Sequence, residues 1–386
     1  MPAILYLFAL TNLVIGTGAF VLSGILQPLA ASLDVSVAAA GQVMTAYALA
    51  SALLAPLLLL ATGRWRRKRA MLLALALFAS GAAVCASAQS LALLLAGRAL
   101  MGAGTVFTAL VAGVAVAVVA PERRGRALSL TFLGMSLSYA VGVPLGAWLG
   151  LSYGWQVPVW GVCGAWLAAM LMLAVFLPRD IAAPGASFAG MGQALRQAPN
   201  LRVWLRTLLY FIAIFSVFAY AGPVLLALNA LTPAQLSFTL VAFGLSGVAG
   251  TVTGGWSVDR FGPLRTLRVQ LAVLALIMVL VPLTAGHHRL TVAVFVVWGI
   301  AGFGMMAPQQ VLLATRSPQQ APLLMSLNGS MLYVGTALGA VISGTLVSAV
   351  GFDRLAWVGL PFALLAYVTL WFDSHAASHR PASPPS

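Results

Sequence analysis

"GVPLGAWLG", residues 142–150, sets glycines at 142, 146 and 150 around Pro144, and "GTALGAVISG", residues 335–344, repeats the pattern with Gly335, Gly339 and Gly344. The first two glycines of each set lie half the chain length apart. Glycines four residues apart share one face of an α-helix and let a second backbone come close. The repeat predicts two halves of like construction, each with a glycine-faced helix that seats a neighbour. Packing alone places the same glycines, with or without sliding between helices. Pro144 lacks the N–H that its helix needs, which predicts a kink.

Outward from these two stretches the chain is apolar almost throughout. Of its 386 residues 62% are hydrophobic and 7% charged, and the mean hydropathy is +1.03, too little polar surface for a water-soluble chain of this length. Most apolar runs reach the roughly 20 residues that a helix needs to cross a bilayer. The predicted spans are 4–27, 38–61, 70–88, 92–118, 128–150, 157–177, 203–228, 237–257, 269–285, 291–314, 323–349 and 356–372. The fold class is therefore all-α integral membrane, with twelve transmembrane helices in two pseudo-symmetric six-helix halves. Residues 1–177 form the first half, 178–202 a cytoplasmic linker, 203–372 the second half and 373–386 a disordered cytoplasmic tail. The first span has no Lys or Arg before it and no small-residue cleavage site after it, so it reads as a helix and not as a signal peptide.

The 20 Lys and Arg fix the expected orientation. Arg98 lies inside a span, and Arg289 and Arg354 fall in loops on the side opposite the first residue; all the others share one side. They cluster in "GRWRRKR" (63–69), "PERRGR" (121–126), the connector with the residues just after it (178–206) and "DRFGPLRTLR" (259–268), so both termini are cytoplasmic by the positive-inside rule. The net charge of +14 is then a topology signal near lipid headgroups, and no nucleic-acid partner is implied.

Catalytic and metal chemistry lack their residues. Cys85 and Cys163 both fall in spans, as core packing. His287 and His288 are neighbours in a loop, while His375 and His379 lie in the polar tail "SHAASHRPASPPS", so no metal site is formed. "GAGTVFTAL" (102–110) lacks the lysine of a phosphate loop, which excludes an ATP-driven pump; no enzyme activity and no cofactor are expected.

"GGWSVDRFGPLR" (254–265) resembles the glycine, acid and base signature found after a second helix in each half of the major facilitator superfamily. "AGRALMGAG" (96–104) resembles its fourth-span motif, and "GMSLSYAVGVPLGAWLG" (134–150) the fifth-span motif of its efflux antiporters. Together with "TAYALASALLAP" (45–56), "TGRWRRKR" (62–69) and "SLNGSMLYVGTALG" (326–339), these stretches are similar to the drug and sugar efflux branch, which includes arabinose efflux permeases. The resemblance implies two six-helix halves around a central cavity that opens alternately to each side of the plasma membrane, in bacteria the inner membrane. It implies export of a small molecule in exchange for protons. The chain departs from the branch at "IGTGAFVLSG" (15–24), where Ala19 stands at the position of a buried acid. All six acids, Asp34, Glu122, Asp180, Asp259, Asp353 and Asp373, fall in loops or at span ends. A proton relay needs a titratable group along the pathway. Coupling therefore passes through Asp34 or Asp259, is supplied by substrate charge, or is absent, as in a facilitator or uptake carrier.

Arg98 is the foremost functional candidate, because a cation inside a span costs a few kcal/mol unless paired or hydrated. It would meet an anionic substrate group, a backbone carbonyl or a side-chain amide; alternatively its helix begins later and the side chain snorkels to the surface. The resemblance implies a cavity lined by the first, fourth, seventh and tenth spans. Tyr210, Phe211, Phe215 and Phe218 include a one-face aromatic stripe, either stacking surface for cargo or core. Asn12, Thr17, Trp298, Gln309, Gln310 and Asn328 add hydrogen-bonding groups, as cargo contacts or interhelix bonds.

In the stretch after span eight, Gly255 is expected to let the helix end approach a neighbour and Gly262 to permit the turn. The resemblance places the start of span five beside Asp259, so this acid, flanked by Arg260 and Arg265, is expected to latch onto Arg124 or Arg126 or to cap that helix start. The copy after span two has Thr62 where the acid would stand. Expected partners are a small-molecule substrate, protons as candidate coupling ions and the lipid bilayer, with a monomer as the functional unit. A non-transporting membrane sensor is the reading from a different class.

Overall fold

The computed structural model describes residues 2–120, 124–178, 198–316 and 321–378. Every regular element among them is helical. Eleven helices are long and apolar enough to cross a membrane, and Leu355–Trp371 supplies a shorter twelfth. The first half comprises α1 (Ile4–Phe20, continued by the tighter turn Val21–Gly24), α2 (Val37–Ala61), α3 (Arg67–Ala86), α4 (Leu91–Gly104 and Val106–Ala117), α5 (Arg124–Leu137, Ser138–Gly142 and Val143–Tyr153) and α6 (Gln156–Phe176). Beyond its tighter turn α1 resumes as Leu26–Ser32. The second half comprises α7 (Ala198–Phe218 and Ala221–Leu228), α8 (Pro233–Phe261), α9 (Pro263–Leu283), α10 (His288–Gly304 and Met306–Arg316), α11 (Ala321–Val350) and α12 (Leu355–Ser378).

Several boundaries differ from expectation: the stretch 259–268, expected as a loop, is helical in α8 and α9 on either side of Gly262, and two more differences fall at the limits of the second half. Helix α7 begins at Ala198, inside the expected connector, because Pro199 suits a first helical turn. Helix α12 runs to Ser378, into the expected tail, because "DSHAAS" holds no breaker and continues the helix beyond its apolar part. The rest of connector and tail, 179–197 and 379–386, lies outside the described residues.

Local chemistry sets the other ends. The Ser36 and Ser90 hydroxyls accept from the amides of Ala39 (3.1 Å) and Leu93 (3.3 Å), capping α2 and α4. Thr232 and Gln235 make a reciprocal capping box at the start of α8. Gly262, at φ +80°, closes α8 in a conformation that side chains rarely adopt, and Pro263 opens α9. At Pro144 the helix does not simply bend. A wide π turn, Ser138–Gly142, precedes it, with the Val143 amide donating to the Ser138 carbonyl. Such turns insert a residue and rotate the faces on either side.

The glycine repeat has the same use in both halves. Gly142 and Gly146 of α5 leave room for Thr17 and Val21 of α1, while Gly335 and Gly339 of α11 leave room for Phe211 and Phe215 of α7. Without a hydrophobic force between helices in lipid, such close approach is what holds a bundle together. Side chains that would be wrong for water, among them Leu57, Val175, Val252, Leu276 and Trp371, are exposed on the outer surface, as a lipid-facing belt requires. Across the halves α2 packs on α11 and α5 on α8, and the two helix ends beyond the interruptions of α1 and α7 meet.

Candidate transport pathway and its seals

Arg98 is buried, with 1% of its surface exposed, so the snorkelling alternative is excluded. Its Nη1 and Nη2 donate to the carbonyls of Gly18 and Ala19, each at 2.6 Å, and its Nε donates to Val43 at 3.1 Å. The carbonyls of Gly18 and Ala19 lie in the last turn of the α1 α-helix, just before it tightens at Val21. A helix C-terminus leaves such carbonyls without amide partners and carries partial negative charge. Arg98 thus caps α1 through the backbone, with the carbonyl of Ala19 among its acceptors. The guanidinium also lies 4.5 Å from the centre of the Tyr47 ring and borders a cavity of about 10 Å³ with Cys85, Met101 and Val162.

The aromatic stripe of α7 is packed as core. Phe215 and Phe218 are buried and pack across the halves on Phe20, at 5.6 and 6.2 Å between ring centres. Phe211 stacks on Phe215 at 6.0 Å, and the Tyr210 hydroxyl contacts the Met306 sulfur at 3.0 Å. The amides divide. Asn12 donates to the Thr131 carbonyl (3.0 Å) and Asn328 accepts from Thr207 (2.7 Å), so both tie helices together. Thr17 turns back onto the Leu13 carbonyl. Gln310 is exposed. Gln309 is fully buried with neither end of its amide bonded, and the Trp298 Nε1 is buried without an acceptor.

At the end of the bundle away from the basic loops the halves close tightly. A Cβ on Gly222 of α7 would run into the backbone of Gly24, so the two backbone segments touch there without side chains between them. Tyr220, fully buried, points its hydroxyl at the carbonyls of Ala340 (3.1 Å) and Ala38 (3.3 Å), one in each half. Ser237 of α8 donates to the Pro144 carbonyl of α5 at 2.8 Å. At the basic end Asp259, Arg260 and Arg265 are exposed, and Asp259 forms no ion pair among the described residues. The side chains of Arg124 and Arg126 lie outside the described residues, and with them the expected latch.

One expectation is corrected: nothing lies within 4 Å of a Cβ on Gly255, whereas one on Gly254 would meet the backbone of Gly304. The helix turn that faces α10 carries Gly254, and Gly255 has rotated away from it. Sequence reasoning also missed Arg206. Counted with the basic loop cluster, it is fully buried on α7, where its Nε donates to the Thr369 hydroxyl of α12 at 2.9 Å. Lys68 likewise does more than mark topology: its Nζ donates to the Leu177 carbonyl at 2.7 Å, a cation at the end of α6. Tyr47, Tyr139, Tyr220 and Tyr333 were also missed, since an isolated tyrosine in an apolar run carries no periodic signal.

Comparison with known proteins places this arrangement. The sequence profile of the Major Facilitator Superfamily matches residues 8–321 and 203–386. The inner membrane transport protein YdhP of Escherichia coli (strain K12) is 30% identical over 362 residues, covering 93% of each chain. A probable sugar efflux transporter of Mannheimia succiniciproducens is 24% identical over 367 residues, 94% of this chain and 91% of its own. The crystal structure of a bacterial homolog of the human lysosomal transporter Spinster, inward-facing and occupied, superposes with a TM-score of 0.84 at 16% identity, covering 99% of this chain and 98% of that one.

Proposed function

The chain belongs to the major facilitator superfamily, a multi-pass membrane transporter and not an enzyme, and on that premise we propose that it exports a small uncoupled or weakly coupled cargo by alternating access. The observation that supports this reading is the unequal closure of the two ends: backbone contact at Gly24 and Gly222 and the Tyr220 bridge at one, and at the other an exposed Asp259 with no ion pair among the described residues. With the basic loops and both termini assigned to the cytoplasm by the positive-inside rule, this is the state open to the cytoplasm, from which an exporter loads. Rocking of the halves about the midplane then opens the outer seal. The latch between Asp259 and Arg124 or Arg126 belongs to the opposite state, when the basic ends meet.

Weak coupling follows from charge. Asp34 is exposed in the loop after α1 and Asp353 pairs with Arg354 at 3.5 Å, both at the outer end. The buried cation Arg98 is held by carbonyls, not by a carboxylate that could take up a proton. A monomer suffices, since both halves of the pathway lie in one chain. The kinship with a sugar efflux protein supports the direction of transport.

Accumulation of candidate compounds in cells with and without the protein, repeated after collapse of the proton gradient, tests the reading. Export that persists without the gradient, running down the cargo's own concentration difference, is expected. Export abolished by the collapse would establish obligatory coupling, entry in place of exit would make the protein an uptake carrier, and no change for any compound would favour the sensor.

A further inference from the structure

Tyr47, Tyr139 and Tyr333 belong to α2, α5 and α11, each near the middle of its helix. Tyr47 and Tyr333 meet edge to face across the interface at 6.4 Å, and Tyr139 reaches the same interface from α5, where it meets rings of the second half. Tyr139 lies within the π turn before Pro144. There its ring packs on Phe20 at 4.9 Å, Phe303 at 4.7 Å and Phe218 at 5.7 Å.

Among the described residues none of the three hydroxyls forms a hydrogen bond of ordinary geometry. The Tyr47 hydroxyl is buried and unbonded; nearby Ser51 donates to the Tyr47 carbonyl at 2.8 Å instead. Tyr139 and Tyr333 are half-buried and make no hydrogen bond among the described residues. A buried hydroxyl left unbonded costs about 1–3 kcal/mol; the Tyr47 hydroxyl meets that description, and the less buried hydroxyls of Tyr139 and Tyr333 stand ready to donate beside it, which marks a position where something else completes them. We infer that these tyrosines form a recognition site for the cargo, and that it takes an uncharged molecule with hydrogen-bond acceptor groups, such as carbonyl or hydroxyl oxygens, beside an apolar or aromatic body.

The class follows from the surroundings. Phe20, Phe218 and Phe303 offer flat apolar walls. No Asp or Glu among the described residues lies within reach of the middle of the bundle to balance a cation. Arg98, on the face of the Tyr47 ring, commits its Nε, Nη1 and Nη2 to carbonyls, so it has no direct fork to offer a carboxylate. Its charge instead withdraws electron density from the phenol and strengthens it as a donor.

This inference rests on the transporter reading, and the test keeps the two apart. Binding is measured on the purified full chain by thermal stabilisation with four probes: chloramphenicol and L-arabinose, both uncharged, tetraphenylphosphonium as a cation and benzoate as an anion. At least one uncharged probe should bind, and Tyr47→Phe, Tyr139→Phe and Tyr333→Phe should each weaken it about three- to tenfold, the loss of one neutral hydrogen bond. These changes keep the rings and their packing; unchanged melting without probe and a monodisperse elution profile verify the fold. Tyr153→Phe, at an exposed site, should bind as the parent does. Binding that survives all three substitutions, binding of only a charged probe, or no binding of either uncharged probe overturns the proposal. Cellular export intact in all three variants overturns the site while leaving transport standing; no export by the parent chain removes the transporter reading itself.

Discussion

Arg98 and Trp298 stand at corresponding places in the two halves, each at the same distance before the glycine, 104 or 304, where its helix is interrupted. Both are fully buried. Arg98 reaches the last turn of the α1 helix and bonds its carbonyls. Trp298 faces the matching part of α7, near Ile214, but its Nε1 finds no acceptor, and the ring packs edge to face on Phe243 and Phe295 at 5.2 and 5.1 Å. The backbone is duplicated more faithfully than the chemistry. Even the turn that follows is repeated, with φ −127° and ψ 24° at Ile25 and φ −118° and ψ 30° at Tyr220. Yet Gly150 faces an isoleucine where Gly344 faces the Tyr220 hydroxyl. At this matched place one half is fastened by a charge, the other by aromatic packing and one phenol that crosses to its partner.

Arg98→Ala tests the contrast most severely. It strips three buried carbonyls of their donor, and a loss of about 3 kcal/mol or more is expected, with export abolished in a chain that still inserts in the membrane. Unfolding in detergent and cellular accumulation measure the two effects, and normal export would end the account of Arg98 as the cap of α1. Trp298→Phe should cost less, about 1–2 kcal/mol from the smaller ring, because no hydrogen bond is lost. A penalty equal to that of Arg98→Ala would mean the halves are fastened alike. Smaller again, Tyr220→Phe removes a hydrogen bond worth about 1 kcal/mol and should move the balance of states several-fold toward the one open outside, read as spin-label distances across the outer helix ends. Unchanged distances would remove Tyr220 from the seal. Gly255→Ala should lie within about 0.5 kcal/mol of the parent chain, since alanine favours a helix and the space beside it is open. A large loss there would mean α8 meets a neighbour at this turn.

Much of the fold was legible because lipid imposes a simple rule, that every crossing segment be long, apolar and internally bonded. The spans, the six-and-six division, the glycine ladders at 142 and 335 and the turn at Gly262 all follow from composition and spacing. The site was legible only in part. Arg98 stood out as a charge in an apolar run, but its partners are carbonyls, which carry no side-chain signature. The choice between Gly254 and Gly255 depended on the rotation of α8 about its axis, and a mean hydropathy cannot fix that rotation when lipid and core are equally apolar.

By itself the sequence determined that the chain crosses the membrane twelve times, in two repeated halves with its basic loops on one side. Only the tertiary structure decided which groups meet between those halves. Tyr47, Tyr139 and Tyr333 are far apart along the chain and belong to three helices whose mutual rotation and depth are set by glycine contacts and by the π turn at Pro144. Tyr220 touches both halves only because Gly24 and Gly222 allow the backbones to close. Helix formation is a local property of residues and solvent, whereas the convergence of unbonded hydroxyls depends on how all the helices pack at once.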